Sequence, residues 1–373
     1  MMNYSEAVYW LALINESGLK LNVIKPVIQR WCVAEKRKLA DLFELSSLAA
    51  FGLAGNEAEQ AMAILDKLAE QAAKLEAWQA EGIELVLRTD SRYPRRLAQT
   101  LPPATQPLVL WVRGSAGLLN EPAVAMLGGE EPDAAATQLM AELTQALAAE
   151  EIGLISGYGR GLDRATFEAM LHTENGHAVI MLPMGLSAFA KTTTRLDEAV
   201  ETGRISLASP FSPDQPYNDK LAEARNLLID HLALVMLIPQ ADDDSMPRAG
   251  QILARGAPIF VDLTDTANNR TLIDQGALLL TDTGEVVEMV QQAMIDAVLL
   301  EPTEEEGAAE PTPATTPPPP PATTTLSDAD DRDFALRVED VEPIDRDEAL
   351  EILSMGGKIP DVLRKRLKEE TEE

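Results

Sequence analysis

The sequence predicts an α/β protein whose core is a doubly wound parallel sheet. Seven short apolar runs follow one another between residues 123 and 280, among them AVAMLG at 123–128, IGLIS at 152–156 and ALVMLIP at 233–239. Amphipathic stretches such as DAAATQLMAELTQALAAE lie between most of these runs. Continuous apolar strands that alternate with amphipathic helices are typical of a Rossmann-like parallel sheet covered by helices on both faces.

A small all-helical domain is predicted before the sheet. Apolar residues recur at helical spacing across residues 5–80, and Asn56 is the predicted cap of the segment EAEQAMAILDKLAEQAAKLEAWQ. From residue 83 the spacing changes, so that IELVLR and LVLWVRG are predicted as strands joined by a turn-rich segment. The helical domain is either a packing or protein-contact module or a relative of the helix-hairpin-helix unit.

These patterns divide the chain into four parts. Residues 1–82 form the N-terminal helical domain, and residues 83–300 form the Rossmann-like domain. Residues 301–327 are rich in proline, threonine and glutamate, a composition that predicts a disordered linker. Residues 328–373 predict an acidic tail with two short helices, which is either a partly ordered tail or a motif that folds on a partner.

The net charge of −30 restricts where a nucleic acid can bind. Residues 101–300 carry 27 acidic and 11 basic side chains, which gives this part of the chain a net charge of −16. Proteins that bind a phosphate backbone normally present a basic face. Any such site in this domain must therefore be a local patch.

The expected location is the cytoplasm. Cys32 is the single cysteine, so no disulfide can form within the chain, as is usual in a reducing compartment. The N-terminus lacks the basic region of a signal peptide. No apolar run reaches the length of about 18 residues that a membrane span needs, so we expect no membrane partner.

The segment LISGYGRGLDRATFEAML at residues 154–171 predicts a strand, a glycine-rich turn and a helix. Gly157, Gly159 and Gly161 permit close backbone approach or positive φ, and the amides of such a turn together with the helix N-terminus favour an anion. Ser156 adds a hydroxyl, and Arg160 can reach a phosphate. Asp163 either caps the helix or accepts a hydrogen bond from a ribose or base. A purely structural tight turn is the alternative.

Two further segments are candidates for the same edge of the sheet. Gly128 follows the first parallel strand, although the adjacent Glu130 repels phosphate. Arg225 and Asn226 precede a buried strand, and the arginine either binds an anion or forms an internal salt bridge. The histidines are scattered, no nucleophile elbow occurs and ADDDS indicates a solvated acidic loop, so we expect no enzyme, metal site or cofactor.

The order of several segments resembles the DNA-processing protein A family, also called DprA or Smf. DSRYPRRLAQTLPPATQPLVLWVRG resembles the entry segment of that family, and LISGYGRGLDRATFEAML resembles its Ser-Gly-x-Ala-x-Gly-Ile-Asp-x-x-Ala-His turn. ARNLLIDHLALVMLI resembles its Arg-Asn-Arg-Ile-Ile segment, and NNRTLIDQGALLL resembles its closing Asn-x-Leu-Ile-x-x-Gly-Ala. The resemblance covers residues 5–285.

The resemblance implies a homodimer that binds single-stranded DNA and helps to load a RecA-type recombinase in transformation or recombination, without enzymatic activity. Two departures concern charge, because Glu130 and Leu227 stand where the family has arginines. The acidic linker and tail also replace the usual winged helix. Carried over by position, the DNA-phosphate pocket consists of Gly128, Ser156, Gly157, Arg160, Gly161, Asp163, Arg225 and Asn226.

A function from a different class stays open beside DNA binding. The glycine turn would then belong to a sensor or scaffold that binds a nucleotide or another phosphorylated small ligand, with little or no DNA binding. Single-strand binding normally uses an aromatic ring on which a base stacks, and Tyr158 is the best candidate. DNA binding also requires several arginines to converge on one pocket, namely Arg160, Arg164, Arg225, Arg248 and Arg270.

Overall fold

A computed structural model describes residues 4–129, 132–191, 195–262, 266–280 and 282–299. The chain divides into two compact units, Met1–Met294 and Ile295–Glu373. The predicted linker and tail, together with Glu130, lie outside the described residues.

The N-terminal part is helical, as predicted. Its helices are α1 (Glu6–Asn15), α2 (Leu21–Ile28), α3 (Leu39–Leu42), α4 (Asn56–Ala63) and α5 (Leu68–Ala80).

The helices pack around two buried tryptophans. A third tryptophan packs the helical part against the sheet. Trp10 and Trp31 are almost completely buried among the helices. Trp78 packs edge-on against Trp111 of the sheet with 4.9 Å between ring centroids, and its Nε1 donates to Asp214. The predicted cap at Asn56 is wrong, because Gly55 occupies the N-cap and no side chain bonds there.

A nine-stranded sheet forms the centre of the protein, and every predicted strand is present. Its strands are β1 (Ile83–Leu87), β2 (Val109–Arg113), β3 (Ala123–Met126), β4 (Gly153–Ser156), β5 (Ala178–Met181), β6 (Ile205–Ser209), β7 (Val235–Ile238), β8 (Ile259–Asp262) and β9 (Leu278–Leu280).

The spatial order of the strands is β1-β2-β6-β5-β4-β3-β7-β8-β9. Strands β3 to β9 are parallel, while β2 pairs antiparallel with both β1 and β6. The sheet is therefore mixed rather than purely parallel, because β2 runs antiparallel to its two neighbours. The antiparallel pair follows from the reversal of the chain in the turn-rich segment between β1 and β2.

The helices of this domain connect the strands and cover the sheet. They are α6 (Arg95–Thr100), α7 (Ala134–Ala149), α8 (Leu162–His172), α9 (Leu186–Ala190), α10 (Asp197–Glu201), α11 (Asp219–Leu232), α12 (Met246–Ala254), α13 (Ala267–Asp274) and α14 (Thr283–Leu299).

The burial pattern explains why the strands read as continuous apolar runs. Every residue of β3, β4, β5, β6 and β7 is buried. Alternate residues such as Ala125, Ile155 and Val179 join the core that contains Leu228 of α11 and Ile252 of α12. The intervening residues point to the opposite face, as the period of two in a strand requires.

The connectivity reverses direction at β3, which makes the sheet doubly wound. From β3 the chain adds β4, β5 and β6 on one side and then returns to place β7 on the other side of β3. Open α/β sheets bind ligands outside the carboxyl ends of the strands at such a switch point. None of the described helices is long and apolar enough to span a membrane.

A polar cluster around the buried Asp230 and His231 joins α6, α11 and α12. Asp230 accepts a bidentate pair of hydrogen bonds from Arg248, with Nε–Oδ1 at 2.8 Å. His231 lies next to this pair with its Nδ1 2.9 Å from Thr100 Oγ1. Burial, together with the nearby Arg255 and Arg96, lowers the pKa of His231 to about 4.

The low pKa of His231 predicts a loss of stability in acid. The unfolded histidine binds a proton near pH 6.5, whereas the folded one does so only near pH 4, so stability falls as the pH decreases through that window. The neutral His231 contributes about 3 kcal/mol to the free energy of unfolding at pH 7, and this contribution is lost once the pH lies below its folded pKa. Urea unfolding at pH 7 and pH 4.5 should show a smaller decrease for His231→Gln than for wild type. His172→Gln, at an exposed position, is the control and should retain the wild-type decrease.

Candidate functional site

The candidate site lies at the carboxyl ends of three neighbouring parallel strands. Ser156 is the last residue of β4, and Met181 is the last residue of β5. Gly128 lies two residues beyond the end of β3, the strand at which the winding of the sheet reverses. This is the edge where doubly wound sheets bind ligands.

The carboxylate of Asp163 organises the glycine turn. Ser156 Oγ donates to Asp163 Oδ1 at 2.6 Å, and the Gly159 N–H donates to Oδ2 at 2.7 Å. Ser156 Oγ also accepts the N–H of Tyr158 at 2.9 Å. The prediction that Asp163 caps α8 is wrong, since Gly161 is the N-cap and the carboxylate reaches back across the turn.

These bonds also correct the prediction that the turn offers a row of bare amides. The amides of Tyr158 and Gly159 are bonded to side chains of the protein itself. Within the described part of the chain, no acceptor bonds the amides of Gly128, Arg160 or Gly161. Because these three amides lie near the N-terminus of α8, they share the partial positive charge of the helix dipole. The electropositive niche is thus smaller than the sequence predicts and lies closer to α8.

The glycines of the turn have different roles. Gly161 adopts a positive φ of 65°, but the other positive φ of the turn, 56°, belongs to Tyr158. Gly157 is needed for close approach, because a Cβ there would lie 2.2 Å from Nη1 of Arg225. At Gly159 the corresponding distance to Asp163 Oδ2 is 3.2 Å.

Arg225 fastens α11 to the ends of two strands. It is 9% exposed, and its Nη1 donates to the carbonyls of Gly157 at 2.6 Å and Met181 at 3.1 Å. Burial lowers the pKa of the guanidinium, while the nearby Asp163 acts in the opposite direction. Its Nε is buried without an acceptor among the described residues. The structure therefore shows contacts with carbonyls in place of the internal salt bridge that was one alternative.

Arg164 covers one face of the Tyr158 ring. The guanidinium carbon lies 3.5 Å from the ring centroid, and Nη2 donates to the Tyr158 carbonyl at 3.3 Å. Phe167 and Phe189 contact the ring edge-on. In this arrangement Tyr158 does not present the open stacking surface that the sequence suggests.

Arg160 lies on the exposed side of the turn. No hydrogen bond or ion pair with another described residue engages its side chain, so the charge faces solvent. Asn226 is half-buried and follows Arg225 on α11.

The five arginines do not all converge. Arg160, Arg164 and Arg225 meet at the turn, whereas Arg248 binds Asp230 in the polar cluster and Arg270 lies on α13, between β8 and β9.

Sequence reasoning missed two contributors to this edge. The Met181 carbonyl anchors Arg225, and no sequence signal marks a backbone acceptor of this kind. Tyr217 is 54% exposed just before α11, the helix whose Arg225 bonds the turn, and its hydroxyl donates to Asp219 Oδ1 at 3.0 Å. An aromatic residue in the polar segment SPDQPYND was the signal that could have identified Tyr217.

A metal site is not found in the part of the chain that the structure describes. No group of three or more histidine, cysteine, aspartate or glutamate side chains there could hold a metal ion. The acidic loop ADDDS uses its carboxylates locally, since Asp242 accepts the N–H of Ser245 and Asp243 accepts from Asn268.

The fit between Gly157 and Arg225 predicts a destabilising substitution. Gly157→Ala should displace the guanidinium from its two carbonyls and lower the free energy of unfolding by about 1–3 kcal/mol. Denaturant titration measures this change. The matched control is Gly250→Ala, since that glycine lies within α12 with open space around it and alanine should stabilise the helix by about 0.5–1 kcal/mol. Equal stability of the two variants would contradict the proposed anchoring.

Solved structures with related folds include DNA processing protein A (DprA) from Streptococcus pneumoniae. That structure has a TM-score of 0.59 and 22% sequence identity, and the alignment covers 77% of this chain and 98% of the other. DNA processing protein A from Helicobacter pylori, whose structure was reported for its single-stranded DNA binding mode, gives a TM-score of 0.48 at 21% identity over 56% of this chain and 96% of that one.

A weaker similarity links the sheet to the molybdenum cofactor carrier protein from Chlamydomonas reinhardtii. Its TM-score is 0.35 at 12% identity over 47% of this chain and 98% of that one. No curated protein sequence matches the chain.

The strongest comparison is with a family rather than with a single protein. The sequence pattern of DNA recombination-mediator protein A matches residues 84–291, which is more than half of the chain and includes β3 to β9 and the glycine turn. The chain therefore belongs to the DNA recombination-mediator protein A family.

Proposed function

We propose that this protein binds single-stranded DNA at the glycine turn, as a binding protein rather than an enzyme. One observation carries the proposal: three arginines, Arg160, Arg164 and Arg225, gather at the carboxyl ends of the strands in a domain that is otherwise strongly acidic. Family membership supplies the nucleic-acid context, since the family mediates DNA recombination.

Some residues of the turn contact the DNA, whereas others maintain the shape of the turn. Arg160 contacts a backbone phosphate, because its charge is exposed and a guanidinium can bond two phosphate oxygens. The amides of Arg160 and Gly161 add donors at the N-terminus of α8. Asp163 and Arg225 maintain the shape of the turn through their bonds to Gly159 and Gly157.

Tyr217 supplies the stacking surface in place of Tyr158. It is the aromatic side chain among the exposed large hydrophobic residues that the structure describes, and it lies just before α11, the helix whose Arg225 bonds the turn. Stacking of a base on an aromatic ring contributes about 1–3 kcal/mol and tolerates any base sequence. A phosphate at Arg160 and a base at Tyr217 together define a short single-stranded segment.

The acidic remainder of the domain makes this binding weak and local. Repulsion from distant carboxylates is screened beyond the Debye length of about 8 Å at physiological salt, whereas contacts at the turn persist. With two or three phosphates contacted at the glycine turn, these contacts alone should make the logarithm of the affinity fall with the logarithm of salt at a slope of about −1.4 to −2.1.

We extend the proposal to the assembly. The protein acts in the cytoplasm as a homodimer and delivers single-stranded DNA to a RecA-type recombinase. The sheet offers a surface for a second copy, because β9 is an edge strand and Leu278 on it is 41% exposed.

Replacement of Arg160 by glutamate tests the binding site. Arg160→Glu should weaken binding of fluorescent oligo-dT at least tenfold at low salt without changing the melting temperature, because the side chain makes no bond that folding requires. Arg95→Glu changes the charge equally at an exposed position on α6 and should retain binding.

Two outcomes would contradict DNA binding. Equal affinity of wild type and Arg160→Glu would remove the glycine turn from the interface. Absence of oligo-dT binding at low salt, combined with thermal stabilisation by a mononucleotide, would show instead that the turn holds a small phosphorylated ligand.

A further inference from the structure

The N-terminal helical domain carries a concentration of positive charge that the glycine turn does not use. Residues 20–38 contain six basic side chains and one acidic one, Glu35, in a chain whose net charge is −30. Most of these basic side chains are exposed. We call Arg30 and the segment Glu35–Lys38 the basic loop.

The charges of the basic loop gather at one place. The Nε atoms of Arg30 and Arg37 lie 3.7 and 3.4 Å from the two carboxylate oxygens of Glu35. Lys36 and Lys38 flank Arg37 in the chain, and both are exposed. The basic loop therefore carries four positive charges and one negative charge, a net charge of three over five side chains.

The backbone of the loop is anchored from below by buried side chains. Trp31, which is 1% exposed, donates from Nε1 to the Lys38 carbonyl at 2.7 Å. The N–H of Arg37 donates to the Trp31 carbonyl at 3.1 Å. On the far side, the carboxylate of Glu6 accepts the N–H groups of Leu39 and Ala40. The loop thus leaves solvent-facing cations on a fixed backbone.

Two aromatic rings also fix the arginines. The guanidinium of Arg37 lies 4.5 Å from the ring centroid of Trp31, and that of Arg30 lies 4.9 Å from the centroid of Phe51. Arg30 Nη1 additionally donates to the Ala50 carbonyl at 2.7 Å. Because these contacts order the side chains before any ligand arrives, a ligand that binds them loses less conformational entropy on association.

A fixed cluster of like charges fits a polyanion with regularly spaced charges. Like charges repel one another, so the cluster is unfavourable alone. Beside a single strand it becomes favourable, because its cations displace the counterions condensed on the phosphates. The side chains of the basic loop are charged, so its surface does not favour an apolar protein partner. We propose that the basic loop is a second contact for the phosphate backbone of the single-stranded DNA that the glycine turn holds, and this inference rests on the proposed function.

Neutralisation of the two lysines tests the second contact. Lys36→Gln/Lys38→Gln should weaken binding of a long oligo-dT severalfold at low salt and reduce the magnitude of the salt slope by about 1.4, the value for two phosphates. The substitutions leave the Lys38 carbonyl that binds Trp31 in place, so the melting temperature should not change. Lys67→Gln/Lys74→Gln removes the same charge from the same domain outside the loop and should retain the wild-type slope.

The experiment separates this inference from the proposed function. If wild type binds oligo-dT and loses affinity in Arg160→Glu, while Lys36→Gln/Lys38→Gln keeps the wild-type slope, the second contact is refuted and the glycine-turn site stands. If both double variants reduce the slope equally, the effect belongs to overall charge and the basic loop is again refuted. If wild type shows no salt-dependent binding, the proposed function fails first.

Discussion

The bonds that Arg225 makes to the carbonyls of Gly157 and Met181 hold the candidate site together. They join α11, which begins the second half of the winding, to the carboxyl ends of β4 and β5. A Cβ at Gly157 would occupy the position of the guanidinium, so the absence of a side chain there is part of the same interaction. Asp163 complements this anchor on the other side of the turn through Ser156 and Gly159.

The distribution of charge explains how an acidic protein can belong to a family of DNA recombination mediators. Net charge sets a long-range field that slows the approach of a polyanion, while affinity depends on contacts within a few ångströms. Arg160 and the basic loop present solvent-facing cations in this acidic chain, beside other exposed basic side chains such as Arg95 and Lys220. Under the proposed function, contacts at these two places would bind a single strand without attracting nucleic acid over the entire surface.

The predicted strands were correct because their burial on both faces requires apolar residues throughout. Buried parallel strands must be apolar on both faces, so the runs at β3 to β7 could be recognised from composition alone. Local bonding was harder to predict, because several donors compete for the same carboxylate. Asp163 therefore turned out to bond Gly159 and not the start of α8, and Asn56 begins α4 instead of capping it.

The sequence by itself determined the layered α/β architecture, the helical N-terminal part, the family and the strand, turn and helix around the glycine turn. These follow from periodicity and from the order of motifs, which are properties of the chain read in one dimension. Only the tertiary structure decided that Tyr158 is covered by Arg164, that Arg225 is an anchor and that Tyr217 is exposed. Such facts depend on contacts between residues distant in the chain, and the backbone carbonyls that take part carry no residue-specific signal.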